Sequence, residues 1–430
     1  MIKFLRTDLR TGNHKVVDSY YSMTEDILYR PYPFERMVKE KHLFLPSKPE
    51  PYGTILELVS NEIRPFLHTY IDCPPEFEAL DSWYIPFTWV YDLYPILPYR
   101  RALGHWGTGK TRWAQTVGVL CRLSYVQGAC ANPAPLYRMC DIMQGTQIID
   151  ETEFSKNTEV GMALSQILNS GYSRFSGSVI RCIGRENVPT PFNTYAPRLI
   201  AARRGFSDNA TESRTISHTS YEVERDDLPT VLGDEFWEKA LRIRNKLFRW
   251  QLGQLTKPVV YDEEFTHRRM NARLKEIFLP LVSIIQEQKP REKLIEEVMR
   301  LNNEIVDAGQ ERFEASIVKT IIASWFAEVS LRMKDIAQRV RELEGIQDEK
   351  QLSPRKCGWY CKKVLQLKTG RAPTNPRPIE VKQEPTNFER LRRLVKRYGI
   401  TKEEVQYLKQ EYLAEKKVEA ERNELFEKKA

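Results

Sequence analysis

Gly104-His105-Trp106-Gly107-Thr108-Gly109-Lys110-Thr111 is a complete G-x-x-x-x-G-K-[ST] phosphate-binding loop, and its reading decides the fold. Gly104, Gly107 and Gly109 let the backbone N–H groups curl round a chain of phosphates, with Thr108 inside the curl. Lys110 reaches the β- and γ-phosphates, and the Thr111 hydroxyl is placed to ligate Mg²⁺. Such a loop opens a helix whose N-terminus favours an anion. Thr111–Cys121 fits that helix, with Val117, Leu120 and Cys121 on one side. The strand feeding the loop should be apolar, yet Tyr99-Arg100-Arg101-Ala102-Leu103 carries two arginines.

Further along, Gln147-Ile148-Ile149-Asp150-Glu151 reads as a short buried strand ending in two carboxylates. Alone, such a pair is equally a solvated turn. Behind a phosphate loop it reads as catalytic: Asp150 holds Mg²⁺ through its water shell and Glu151 polarises the attacking water. A glutamate in the second place favours hydrolysis over transfer to another substrate. A third strand follows at Arg198-Leu199-Ile200-Ala201-Ala202, then Arg203-Arg204, then Asp208-Asn209-Ala210-Thr211-Glu212-Ser213-Arg214.

This order of loop, Asp-Glu strand, third strand and Glu-Ser-Arg resembles the AAA+ ATPases. It is most similar to uncharacterised ATP-binding proteins of bacterial and archaeal mobile elements. Those share the stretch Gly107-Thr108-Gly109-Lys110-Thr111-Arg112-Trp113, the Asp150-Glu151 pair, and the run Ala201 to Arg214. The resemblance covers roughly residues 50–400, and a looser similarity connects these proteins to superfamily 3 and minichromosome-maintenance helicases. The resemblance implies ATP and Mg²⁺ as cofactors and a homo-oligomeric ring, with a hexamer favoured. It implies that Arg214 reaches the γ-phosphate held by a neighbouring subunit; the plain alternative is a surface salt bridge. Ala202 falls where many relatives carry a polar sensor, which leaves Arg203 as the sensing candidate. Arg273, early in a later helix, is a candidate second nucleotide-sensing arginine or else an ordinary surface one.

At 430 residues, 41% hydrophobic and 29% charged, the chain is an ordinary globular sequence with room for two to four domains. Met1–Ser22 is mixed and polar, so no secretory leader is expected. The most apolar stretch, Trp83–Tyr99, is broken by Pro86, Asp92, Pro95 and Pro98; it predicts a packed helical region and no membrane span. The seven cysteines lack paired metal spacing, and Cys357 and Cys361 read as core. A reducing, cytoplasmic setting without structural metal is expected.

The expected organisation is an N-terminal arm and helical region (1–98), an ATPase core (99–225), a helical lid (226–308), a winged-helix DNA-binding domain (309–400) and a charged helical tail (401–430). The lid begins with Asp234–Leu252 and continues through Asn271–Gln286. Between Gly171 and Arg198, Tyr172 to Arg181 predicts two short strands around a Ser-Gly turn. In the helicases named above, a hairpin here grips DNA in the ring's pore, which makes Arg174, Arg181 and Arg185 candidate phosphate contacts. A solvated surface hairpin is the other reading.

In the C-terminal module, Ser353-Pro354 is a helix start signal, with Ser as N-cap and Pro at the first position. On that helix Cys357, Cys361, Val364 and Leu365 share one side. Arg355, Trp359, Lys362 and Gln366 share the other, flanked by Lys356 and Lys363. A basic face carrying an aromatic suits a recognition helix in the DNA major groove. Lys368–Val381, including Arg371, would be the wing. From Ser353 to Ile400 there are 13 Lys/Arg and 3 Asp/Glu, a net of +10, whereas the whole chain carries only +8. Charge concentrated in this way suits phosphate binding, although a protein-binding module would also tolerate it.

The sequence therefore predicts an α/β protein: an AAA+ P-loop core on a parallel sheet, with a C-terminal winged helix. The expected role is an ATP-driven motor on DNA, a replicative helicase or translocase of a mobile element. A nucleotide-gated regulatory or scaffold ATPase that does not unwind is the alternative. A small-molecule kinase would leave the Asp-Glu pair and Glu-Ser-Arg without a role.

Overall fold

The computed structural model describes residues 2–8, 10–11, 13–105, 107–127, 133–150, 159–203, 209–220, 223–267, 270, 272–310, 313–346, 349, 352–371 and 379–427. The chain forms two compact units, Met1–Val298 and Met299–Ala430.

The first unit is built on a six-stranded sheet. Its order across the sheet is Thr215–Thr219, Tyr99–Leu103, Arg198–Ala202, Gln147–Asp150, Ser124–Gln127 and Leu43–Phe44. The first five run parallel and Leu43–Phe44 pairs antiparallel to Ser124–Gln127. The strand that feeds the phosphate loop is thus interior, with Arg198–Ala202 between it and the Asp150 strand. Parallel strands need covered faces, and Leu199, Ile200, Ile148 and Ile149 are buried accordingly.

The two arginines before the loop are fully buried and satisfied. Arg100 donates from Nε to Asp81 Oδ1 at 2.6 Å and from Nη1 to the Ile216 carbonyl at 2.8 Å. Arg101, on the opposite face, donates from Nε to Ser217 Oγ at 3.0 Å and pairs with Glu212. Arg198 is equally buried, donating to Gln147 Oε1, Tyr99 OH and the carbonyls of Thr194 and Ala196. Buried charge is tolerable only when paired and hydrogen-bonded, and each arginine here meets that condition.

Asp81 lies in helix Pro75–Val90, which is buried on nearly every side, in agreement with the apolar stretch read as core. Among the described residues no helix is long and apolar enough to cross a membrane. Thr54 caps the preceding helix through a capping box with Glu57. Helix Asp234–Gln254, expected to begin a lid, is packed into this same body. Phe236 meets Phe66 and Tyr70, Trp250 is buried, and Arg244 donates to the carbonyls of Leu45 and Val119. The expected divisions at 98/99 and 225/226 both fall within the first compact unit. Leu43–Phe44, from near the start of that unit, supplies an edge of its sheet.

The second unit contains helices Phe313–Phe326 and Met333–Leu343. Pro354–Trp359 follows, continued by a wider turn over Tyr360–Val364. A two-stranded ribbon joins Thr369–Arg371 to Ile379–Val381, and helices Pro385–Tyr398 and Lys402–Glu427 complete the unit. Arg332 bridges to Glu380, so one residue before the second helix extends the ribbon's edge. Cys357, Cys361, Leu365, Ile336 and Val340 share one core. Among the described residues no group of three His, Cys, Asp or Glu is placed to hold a metal ion. The tail starts as a packed element: Leu408 and Tyr412 lie against Ala323 and Ala327, and Lys319 pairs with Glu404.

Candidate nucleotide site

The loop leaves the C-terminal end of Tyr99–Leu103 and enters helix Lys110–Gly118 with Gly109 as N-cap. Gly107 and Gly109 have φ of +78° and +77°, the left-handed region that costs glycine nothing. A Cβ on Gly104 would sit 2.6 Å from the Ser220 carbonyl oxygen and from Thr108 Oγ1, so only glycine fits there. Thr108 and Lys110 are buried in the curl. Thr108 Oγ1 donates to the His105 carbonyl at 3.0 Å, and Lys110 Nζ donates to the same carbonyl.

Thr111 Oγ1 donates to Asp150 Oδ1 at 3.2 Å. The two expected Mg²⁺ ligands, far apart in sequence, therefore meet at the C-terminal edge of the sheet. A hydroxyl and a carboxylate oxygen are the hard donors that Mg²⁺ prefers, so this pair fits the ion. Arg203 is exposed and follows Ala202, whose strand pairs with both the loop strand and the Asp150 strand, so it stands at this same edge. Glu151 lies outside the described residues.

Arg214 and Arg273 are elsewhere. Arg214 precedes strand Thr215–Thr219, whose far end is level with Leu103, and its carbonyl accepts from Tyr99 N–H. Five residues at about 3.3 Å each put it roughly 16 Å from its own loop, at the opposite end of the sheet. There its guanidinium lies 4.3 Å from the Tyr172 ring centre and donates to Asn169 Oδ1 at 3.3 Å. Arg273 joins the same ring at 5.1 Å and donates to Tyr172 OH at 3.0 Å. The sequence offered Arg273 as a second nucleotide-sensing arginine or an ordinary surface one. The fold groups it with Arg214, because the helix carrying it, Ala272–Ser283, packs at that end.

One role escaped the sequence. Glu212, quoted there only as a motif neighbour of Arg214, holds Arg101 inside the sheet. Trp113, in the loop's own helix, donates its indole N–H to Asp81 Oδ2 at 2.7 Å. Asp81 thus ties the loop helix and the loop strand to one carboxylate. Beside them His218 is buried and within 3.4 Å of Arg100 Nη2. Burial first, and then the Arg100 cation, push its pKa down from 6.5 to about 3. The folded state keeps this imidazole neutral while the unfolded chain protonates below 6.5, so stability is lost as pH falls from about 6.5 towards 3. The slope approaches about 1.4 kcal/mol per pH unit. Urea midpoints at pH 7, 5.5 and 4.5 should fall less steeply for His218→Gln than for the wild type.

The hairpin after Gly171 exists, but its turn is not at Ser176-Gly177. Strands Ser178–Ile183 and Val188–Asn193 pair around Gly184-Arg185-Glu186-Asn187, where Gly184 and Asn187 take φ of +74° and +52°. Glycine and asparagine accept that conformation most readily, which fixes the turn there. Arg185 is at the tip and Arg181 is on an exposed strand, 5.5 Å from the Tyr137 ring centre. Arg174 precedes the hairpin, donating to the Asp92 carbonyl and lying 5.6 Å from the Tyr195 ring centre. It belongs to the base of the hairpin and not to its arms.

In the second unit Ser353 Oγ accepts from Lys356 N–H, with Pro354 at the first helical position. Cys357, Cys361 and Leu365 are buried, while Arg355, Lys356, Trp359, Lys362 and Lys363 are exposed on the other side. Arg371 is exposed at the end of the first ribbon strand; residues 372–378 of the expected wing lie outside the described residues.

No family model matches the chain, and no curated protein matches it. Among solved structures it is similar to an apo form of the NrS-1 C-terminal region at 13% identity and TM-score 0.39, over 84% of this chain and 81% of that one. A second apo structure of that region gives 13% and 0.36 over 85% and 82%. An inhibitor-bound JCV helicase gives 14% and 0.24 over 59% of this chain and 62% of that one. Similarities of this size assign neither family nor activity, and the reading below rests on the site itself.

Proposed function

We propose that the protein is an ATP-hydrolysing AAA+ motor that acts on DNA, in the manner of a helicase or translocase of a mobile genetic element. The observation that carries the nucleotide part is the 3.2 Å contact between Thr111 and Asp150 beside a glycine curl that opens a helix. On this reading the loop amides and Lys110 hold the β- and γ-phosphates. Thr111 and Asp150 hold Mg²⁺, which supplies charge neutralisation on the transferred phosphoryl oxygens. Glu151 orients the attacking water, and Arg203 senses nucleotide from the neighbouring strand end. Arg214, displaced from its own loop, serves a neighbouring copy, with Arg273 beside it.

The DNA part rests on the second unit. Helix, bridge residue, two helices and a ribbon follow in the order of a winged helix, with a basic, Trp-bearing face on the third helix. Arg355, Lys356, Lys362, Lys363 and Arg371 would contact phosphates or base edges, and Trp359 would pack on the sugar-phosphate backbone. Arg181 on a hairpin strand and Arg185 at the tip would grip DNA inside a ring.

Fluorescence anisotropy with duplex DNA across a salt series, together with ATPase assays with and without DNA, tests this reading. Replacing Arg355, Lys362 and Lys363 by Ala should weaken binding and lower the salt slope by about 0.9 per lost phosphate contact. Turnover without DNA should persist, since the loop is in the other unit. A wild-type protein that binds no DNA at low salt would sink the motor reading and leave a protein-directed, nucleotide-gated switch.

A further inference from the structure

We propose that the second unit carries a docking groove for an acidic amphipathic helix of a partner protein. The groove, about 440 Å³, runs between helices Phe313–Phe326 and Pro385–Tyr398 and the start of Lys402–Glu427. No residue of the basic Pro354–Val364 helix lines it. Its floor is aliphatic, with Ile322, Leu391 and Ile400 buried at the base. Its walls carry Phe326 and Phe388, which are 48% and 46% exposed where aromatics are ordinarily covered.

The rim decides the chemistry of the occupant. Arg392, Lys402 and Lys409 line the groove and no acidic residue does. Among the described residues none of these three cations is ion-paired. A cationic rim round an apolar trough complements a helix that presents bulky apolar side chains at i, i+3 or i+4, and i+7, with carboxylates on its flanks. The ring geometry disfavours nucleic acid here. Phe326 meets Phe388 at 90° and Trp325 meets it at 63°, so the three rings do not share one plane and form no continuous flat platform for successive bases.

The test uses the full chain and fluorescein-labelled helical 16-residue peptides, read by anisotropy. One peptide carries Leu and Phe on one face and Glu elsewhere; a second carries Lys in place of Glu. The acidic peptide should bind saturably and the lysine peptide should not. Phe326→Ser/Phe388→Ser should weaken binding about tenfold or more, as truncated interface anchors do. Lys402→Glu/Lys409→Glu should do the same while retaining the wild-type circular dichroism and melting curve, which separates lost docking from lost folding. Equal binding of both peptides, or of neither, overturns the proposal. So does displacement of the acidic peptide by oligothymidine, which would assign the groove to single-stranded nucleic acid. Conversion of an oligomer to monomer in either double variant also overturns it, since a second copy would then cover the face.

Discussion

Lys110→Ala should slow ATP turnover by about 10²–10³-fold, the cost of removing one preorganised positive group from a developing phosphoryl charge. Its Nζ donates within the loop, to the His105 carbonyl and to Thr108 Oγ1. Phosphate release at saturating ATP measures the loss, and turnover above a tenth of wild type would exclude Lys110 from the reaction. Glu151→Gln should instead bind ATP and fail to hydrolyse it. Because Arg214 stands at the far end of the sheet from its own loop, mixing Lys110→Ala with Arg214→Ala should restore part of the activity. Mixed assemblies place an intact loop against an intact arginine at some boundaries. Co-assembly without any rescue would remove Arg214 from the site.

Asp81→Ala should cost about 3–5 kcal/mol of stability, the penalty for leaving a buried cation without its counter-charge. The loss is this large because Asp81 serves two partners, the Arg100 guanidinium and the Trp113 indole, and Arg100 has no route to solvent. Urea denaturation gives the difference directly. Asp81→Leu combined with Arg100→Met should recover most of it, since an apolar pair of similar volume carries no desolvation penalty. If the double variant is as unstable as Asp81→Ala, the carboxylate matters through Trp113 and not through the arginine.

These two predictions mark what was legible in the sequence. The glycine spacing of the loop, the Asp150 strand, the Ser353-Pro354 helix start and the buried side of the basic helix are all local signals. Each lies within one turn or one element, and the structure places each where the residues indicated. The arginines of Tyr99–Leu103 were not legible as core, because their partners come from Asp81, Glu212, Ile216 and Ser217. Only the sheet brings those together. Leu43–Phe44 is a two-residue strand whose identity depends on Ser124–Gln127 beside it. Ser176-Gly177 and Gly184 to Asn187 both carry turn residues, and the register of the flanking strands chose between them. The partner of Arg273 was not legible for the same reason: Tyr172 is about a hundred residues away in sequence.

The polarity of the parallel sheet has a consequence for stoichiometry. On the proposed reading, each copy receives nucleotide at one end of its strands and presents Arg214 at the other. Two copies related by a twofold axis would pair each loop with the other's arginine and stop at a dimer. A head-to-tail contact would instead close into a ring or continue without limit. An open row always ends in one copy whose loop faces no arginine, so turnover per subunit should rise with concentration until the row closes. Closure then becomes the event that equalises the subunits, and a single defective arginine silences its neighbour, leaving its own loop competent.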